Sequence, residues 1–105
     1  MNAETLSSEK IRVSVKPLLM ELVPGYLLRR QEEVEGLCRL LAVGDFESIQ
    51  SIGHKLSGNA STYGFHEISR IGLEIETSAQ CKDTVRIEAL IQRYRHYLTQ
   101  VEVTY

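Results

Sequence analysis

Apolar residues recur at helical spacing in four stretches of this chain, and that recurrence limits the fold more than any other feature. At 100° per residue, Leu27, Val34, Leu37, Cys38 and Leu41 fall in one narrow arc over residues 25–43. Ile49, Ile52, Leu56, Ala60 and Tyr63 do the same over 46–63, and Phe65, Ile68, Ile71, Ile75 and Ala79 over 65–79. The last stripe, after Asp83, is Ile87, Leu90, Ile91, Tyr94, Leu98 and Val101. The breaks between stripes are short and chemically explicit. Gly44 supplies a C-terminal cap and Gly64 stops the stretch that begins at Phe46. Asp45 and Asp83 can each N-cap the next helix, and Glu47 and Glu67 sit early in their helices, where negative charge is favoured. Four amphipathic helices on short connections predict an all-α fold, an antiparallel up-down four-helix bundle.

Upstream of the bundle the period changes. Ile11, Val13 and Val15 alternate with Arg12, Ser14 and Lys16, which predicts a short extended segment lying along the helices. Pro17 can occupy the first position of a helix, so a short leading helix is expected from Pro17 to about Leu22. Pro24-Gly25 then interrupts it and starts the next. Residues 1–10 are polar and expected to be frayed. Arg30 falls inside an apolar arc, and its guanidinium is expected to snorkel out of the bundle.

Composition narrows the function. The 105 residues fit one domain over 1–105, and 12 Lys+Arg against 14 Asp+Glu argues against nucleic acid as a partner. Arg29-Arg30 and Arg93-Tyr94-Arg95 are too sparse to change that. No apolar run approaches the ~18 residues of a membrane span, and the first sixteen residues hold no apolar signal core, so a cytoplasmic protein with no membrane contact is expected. Cys38 and Cys81 form no redox or metal motif and read as free thiols. No glycine-rich phosphate loop and no G-x-S-x-G elbow occurs. A di-iron bundle needs Glu-x-x-His, but Ser51, Tyr63 and Arg93 stand three residues before His54, His66 and His96, so no metal site is expected. His66 and His96 read as surface residues. Glu74 and Glu76, two apart on one helix, do not face each other.

The stretch 46–63 carries an anomaly. Opposite its apolar face lie Glu47, Gln50, Ser51, His54, Ser57, Gly58 and Ser61. A solvated helix face is ordinarily built from Lys, Glu, Arg and Gln. Here an outward imidazole is ringed by small residues, and a mid-helix glycine alone costs ~1 kcal/mol relative to Ala. Close approach of another protein to His54 explains that surround. A second glycine, Gly53, flanks the core side and could allow close helix packing. A neutral imidazole can attack phosphorus without a neighbouring base, giving a labile phosphohistidine. Phosphoryl transfer has a loose transition state that mainly needs alignment and charge neutralisation, both of which a partner can bring. Lys55, about 100° around the helix from His54, is a candidate for some of that charge.

The run His54-Lys55-Leu56-Ser57-Gly58-Asn59-Ala60-Ser61-Thr62-Tyr63-Gly64-Phe65 resembles the signature of histidine-containing phosphotransfer (HPt) domains, roughly H-x-L-K-G followed by a glycine ten residues after the histidine. Val23-Pro24…Leu27, Gly44-Asp45-Phe46 and Leu73-Glu74 also resemble that family's segments, so the likeness covers about residues 17–100. It implies a four-helix bundle relaying phosphoryl groups between receiver-domain aspartates. By this resemblance His54 is the phosphorylated histidine, Gly58 leaves room for a docking receiver, and Gly64 makes the turn after the helix. Gln50, Ser51, Ser57, Gly58 and Ser61 are then the docking surface. The implied partners are response-regulator receiver domains or a hybrid histidine kinase, with Mg²⁺ in the receiver and no cofactor on this chain, which is expected to be monomeric. One departure stands out: the family often has Lys three residues after the histidine, where this chain has Ser57, and the cation is at Lys55. The dimerisation helices of sensor kinases place an acidic residue directly after the histidine. Lys55 stands there instead, and 105 residues leave no room for an ATP-binding domain, so self-phosphorylation is not expected. The alternative is a helical adaptor that binds receivers without chemistry.

Overall fold

The computed structural model describes residues 9–105, and the expected fraying of residues 1–8 lies outside them. Strand β1 (Ile11–Ser14) and a 3-10 helix (Pro17–Leu22) lead into α1 (Val23–Ala42), α2 (Phe46–Tyr63), α3 (His66–Gln80) and α4 (Thr84–Gln100), and strand β2 (Val101–Thr104) ends the fold. Each helix packs on its neighbours in the chain, and α1 closes the ring against α4. This is the four-helix bundle that the stripes predict. Leu37, Ile49, Leu56, Phe65, Ile68, Ile71, Ile75, Ile87, Leu90, Ile91 and Tyr94 are fully buried at its centre. Each such side chain stabilises the fold by roughly 1.5–3 kcal/mol before entropy is counted.

The turns arise from local chemistry. Asp45 accepts from the Ser48 N–H at 3.1 Å and the Ser48 hydroxyl at 2.7 Å, while Asp83 accepts from the Arg86 N–H at 3.0 Å. The Ser48 hydroxyl, then its N–H, hold the Asp45 carboxyl below its ordinary pKa. Three helices end in the same two-bond left-handed cap. Gly44 N–H reaches Leu41 O (3.0 Å) and Asp45 N–H reaches Leu40 O (2.9 Å). Gly64 and Phe65 repeat this on Ser61 and Ala60, and Lys82 and Asp83 repeat it on Ala79 and Ser78. The capping residues have φ of +72° at Gly44, +89° at Gly64 and +54° at Lys82.

Several boundaries differ from expectation. Pro24-Gly25 does not interrupt the chain: α1 already begins at Val23, and Pro24 sits in its first turn, where a missing N–H breaks no bond. Val23 and Tyr26 are buried there, whereas Leu27 and Leu41 are only half-buried. Phe65 is the residue before α3 rather than its first. Val101 belongs not to the last helix but to β2, which pairs in parallel with β1 in the register Ile11↔Val101 to Ser14↔Thr104. Ile11, Val13, Val101 and Val103 turn inward onto the core, and Arg12 and Glu102 pair outside at 3.2 Å. The buried Val15 extends the pairing, its N–H donating to Thr104 O at 2.8 Å.

The closest helix contact is between α2 and α3, and two glycines make it. A Cβ on Gly53 would lie 2.7 Å from both Gly72 O and Glu76 N. A Cβ on Gly72 would lie 2.8 Å from Ser57 N and 2.9 Å from Gly53 O. No side chain fits between these backbones, and the close packing anticipated for Gly53 is present.

Candidate functional site

The site is built on α2, whose ends are fixed by the Asp45 cap and the Gly64 turn. Gly53 is buried against α3, and the next residue, His54, turns outward with 74% of its side chain exposed. Its Nδ1 lies 3.2 Å from Oε2 of Glu76 on α3. No hydrogen bond among the described residues uses its Nε2. Glu47, Gln50, Ser51, His54 and Glu76 line a shallow depression at this point.

The sequence-predicted residues gather around the ring in two grades. Ser51, Lys55, Gly58 and Ser61 are exposed, while Gln50 and Ser57 are half-buried. Ser57 does not offer its hydroxyl to the imidazole. It donates to the His54 carbonyl at 2.8 Å, and the Ser57 carbonyl in turn accepts from the Ser69 hydroxyl at 2.6 Å. The Thr62 hydroxyl likewise donates to Gly58 O at 3.4 Å. Lys55 forms no ion pair among the described residues. At Gly58 a Cβ would meet nothing within 4 Å, and the residue lies in ordinary helix, so neither packing nor conformation inside this chain calls for glycine there. Gly64, by contrast, is favoured as glycine by its positive φ.

Behind α2 lies a polar cluster that the sequence pattern places elsewhere. Arg30 does not snorkel outward. Its guanidinium sits 4.6 Å from the Tyr26 ring centroid, with Nε 3.3 Å from Glu33 Oε1. The Tyr94 hydroxyl donates to Glu33 at 2.8 Å, and that of Tyr26 donates to Asn59 at 2.6 Å. Tyr26 also stacks on Tyr63 and Phe65, with ring centroids 4.4 and 5.7 Å apart. Burial raises the Glu33 pKa, and the hydrogen bond from Tyr94 and the charge of Arg30 offset only part of that. Burial likewise opposes the Arg30 charge, but Glu33 and Tyr26 hold its pKa above the ordinary value. Desolvation also raises the hydroxyls of Tyr94 and Tyr26. This cluster ties α1, α2 and α4 together.

Glu76 is the residue that sequence reasoning missed. Its relation to Glu74 on the same helix says nothing about the helix across from it. In the structure Glu76 lies one turn after Gly72 and His54 directly succeeds Gly53, but the sequence does not show that these two glycines face each other. His66 and His96 are exposed, as expected. Among the described residues no group of three or more His, Cys, Asp or Glu is placed to hold a metal ion, and no helix is long and apolar enough to cross a membrane.

An exposed imidazole with one uncommitted nitrogen, on a face of small side chains and without an enclosed pocket, suits a nucleophile that acts on a group delivered by another molecule. The chain matches no curated protein and no solved structure. The Hpt domain family model, however, matches residues 22–104, which takes in all four helices and β2. The chain therefore belongs to the Hpt family, the histidine phosphotransfer modules of phosphorelays, which interact with receiver domains and are not kinase domains.

Proposed function

We propose that this chain is a phosphoryl carrier in which His54 takes a phosphoryl group from one receiver-domain aspartate and passes it to another. The observation that carries the reading is the pairing of an exposed His54 with Gly58, a glycine that nothing inside the chain requires. In the forward step a ring-nitrogen lone pair forms the N–P bond. The P–O bond to the donor aspartate breaks, and its electron pair returns to that carboxylate. The receiver supplies the Mg²⁺ and the acidic pocket, and this chain binds no cofactor of its own. Gln50, Ser51, Ser57, Gly58 and Ser61 form the docking face. With the Ser57 hydroxyl turned to the backbone, Lys55 is the cation that meets the incoming phosphoryl charge. The carrier works as a monomer in the cytoplasm, where its partners are receiver domains or a hybrid histidine kinase.

The test is incubation with a panel of phosphorylated receivers, reading acid-labile, alkali-stable phosphate on this chain. His54→Gln is expected to abolish labelling while the helical circular dichroism persists. Gly58→Lys is expected to leave the bundle folded and slow transfer by obstructing approach. Label that survives His54→Gln would sink the assignment. A chain that binds receivers but never takes phosphate would instead be an adaptor.

A further inference from the structure

A second depression, away from His54, gathers hydrogen-bond donors that nothing in this chain uses. It measures about 340 Å³ and is lined by β1, by Gly64, His66 and Glu67, and by Tyr97 of α4. Tyr97 is only 4% exposed, and buried hydroxyls ordinarily find a partner. Those of Tyr26 and Tyr94 each have one, whereas that of Tyr97 has none among the described residues. Its oxygen is not sealed in, so the hydroxyl opens onto the depression. Burial first, then the charge of Glu67, push its pKa up to about 12, which keeps it a donor at neutral pH.

The start of α3 adds two more donors. Before α2 and α4 an aspartate accepts the N–H three residues on, from Ser48 and Arg86. In that place before α3 stands Phe65, fully buried and with no side-chain acceptor. The Ile68 N–H is therefore uncapped, and neither it nor the Glu67 N–H has an acceptor among the described residues. Glu67 does not turn back to cap them. Its carboxylate takes two bonds from Arg93, at 3.0 and 2.7 Å, and lies 3.8 Å from Arg70. The one carboxylate lining the depression is thus offset by two guanidiniums. Free N–H groups at a helix start attract anions.

We propose that this depression is a binding site for a carboxylate on a short apolar body, supplied by a free acid or by the end of a peptide chain. The carboxylate oxygens accept from the Tyr97 hydroxyl and from the Glu67 and Ile68 N–H groups, and the body lies against Ile11 and Val13. A single negative charge fits better than a phosphate dianion, because the Glu67 carboxylate stays close by. Gly64 is about 15 Å along α2 from His54, so the site stands whether or not His54 carries phosphate.

Amide ¹H–¹⁵N spectra at neutral pH, recorded during titration with butyrate, N-acetylvaline or 1-butanol, test the proposal. Both acids are expected to move the Glu67 and Ile68 signals to saturation, and 1-butanol, an apolar body without the charge, is not. Tighter binding of butyrate identifies a free acid, and tighter binding of N-acetylvaline a peptide end. Tyr97→Phe breaks no bond within the chain, so its urea midpoint should not fall. It should weaken both acids at least about tenfold, the scale of one hydrogen bond to a charged group. The proposal is overturned if the two amides show no saturable shift, if 1-butanol moves them equally, or if the shifts centre on His54. An affinity that Tyr97→Phe leaves unchanged overturns it as well. So does a lower urea midpoint for that variant, which would mean that the hydroxyl is already bonded inside the chain.

Discussion

Lys82 shows how much one residue can be asked to bear by its place in a turn. It makes the same cap as Gly44 and Gly64 but does so with a Cβ, at φ +54°. Left-handed backbone costs a non-glycine residue roughly 1–2 kcal/mol, partly offset by the greater freedom that glycine has in the unfolded chain. Lys82→Gly is therefore expected to raise stability by about 0.5–1 kcal/mol, seen as a higher urea midpoint with an unchanged slope. At this scale the sequence was readable where residue type and role coincide. Gly44 and Gly64 announced their turns, Asp45 and Asp83 their caps, and His54 stood out because serines and a glycine replaced the usual long polar side chains around it. Cys81-Lys82-Asp83 announced no left-handed turn, since lysine gives no sign of that backbone. Arg30 was misread because a charge in an apolar stripe has two outcomes. The difference lies in Glu33, Tyr26 and Asn59, whose Oδ1 accepts from Arg30 Nη1 at 3.5 Å, and Asn59 is on another helix.

Two glycines within one helix do opposite work. Gly53 is fixed by its neighbour, with atoms of the α3 backbone 2.7 Å from where a Cβ would go. Gly58, five residues later, has open space. Gly53→Ala must push α3 away from α2 and is expected to destabilise the bundle by about 1–3 kcal/mol, while shifting the His54 ring nitrogens as Glu76 recedes. Gly58→Ala is expected to stabilise it by up to ~1 kcal/mol, the helix propensity difference. Paired denaturant titrations of the two variants check the contrast in sign. The composition of α2 shows two glycines on two faces, and the outward one was legible as unusual. Which α3 residue Gly53 admits could not be read, because helix periodicity describes each helix alone and carries no register between helices.

For the whole molecule, the parallel strands tie the segment before α1 to the segment after α4. The extended character of residues 11–15 was visible in their alternation. That of 101–104 was hidden, because Val101 also continues the apolar stripe of α4, and a four-residue strand has too few positions to contradict it. The sheet joins the bundle near Gly64, whose would-be Cβ is 3.7 Å from Ser14 O, about 15 Å along α2 from His54. Removing residues 101–105 is expected to lower stability by roughly 2–4 kcal/mol, from the half-buried faces of Ile11, Val13, Val101 and Val103. It should leave helical circular dichroism and phosphoramidate labelling of His54 in place. A stability loss matched by lost labelling would mean that the strands support the site as well as the fold.

The direction of that pairing has a mechanical consequence. Ile11 opposes Val101 and Ser14 opposes Thr104, so tension entering the chain ahead of Ile11 and leaving it after Thr104 pulls the two strands lengthwise past each other. Under that geometry the rungs of the ladder share the force at once instead of peeling one after another. The four helices, and the imidazole on the second of them, are shielded from a tug on the ends until the strands have slipped.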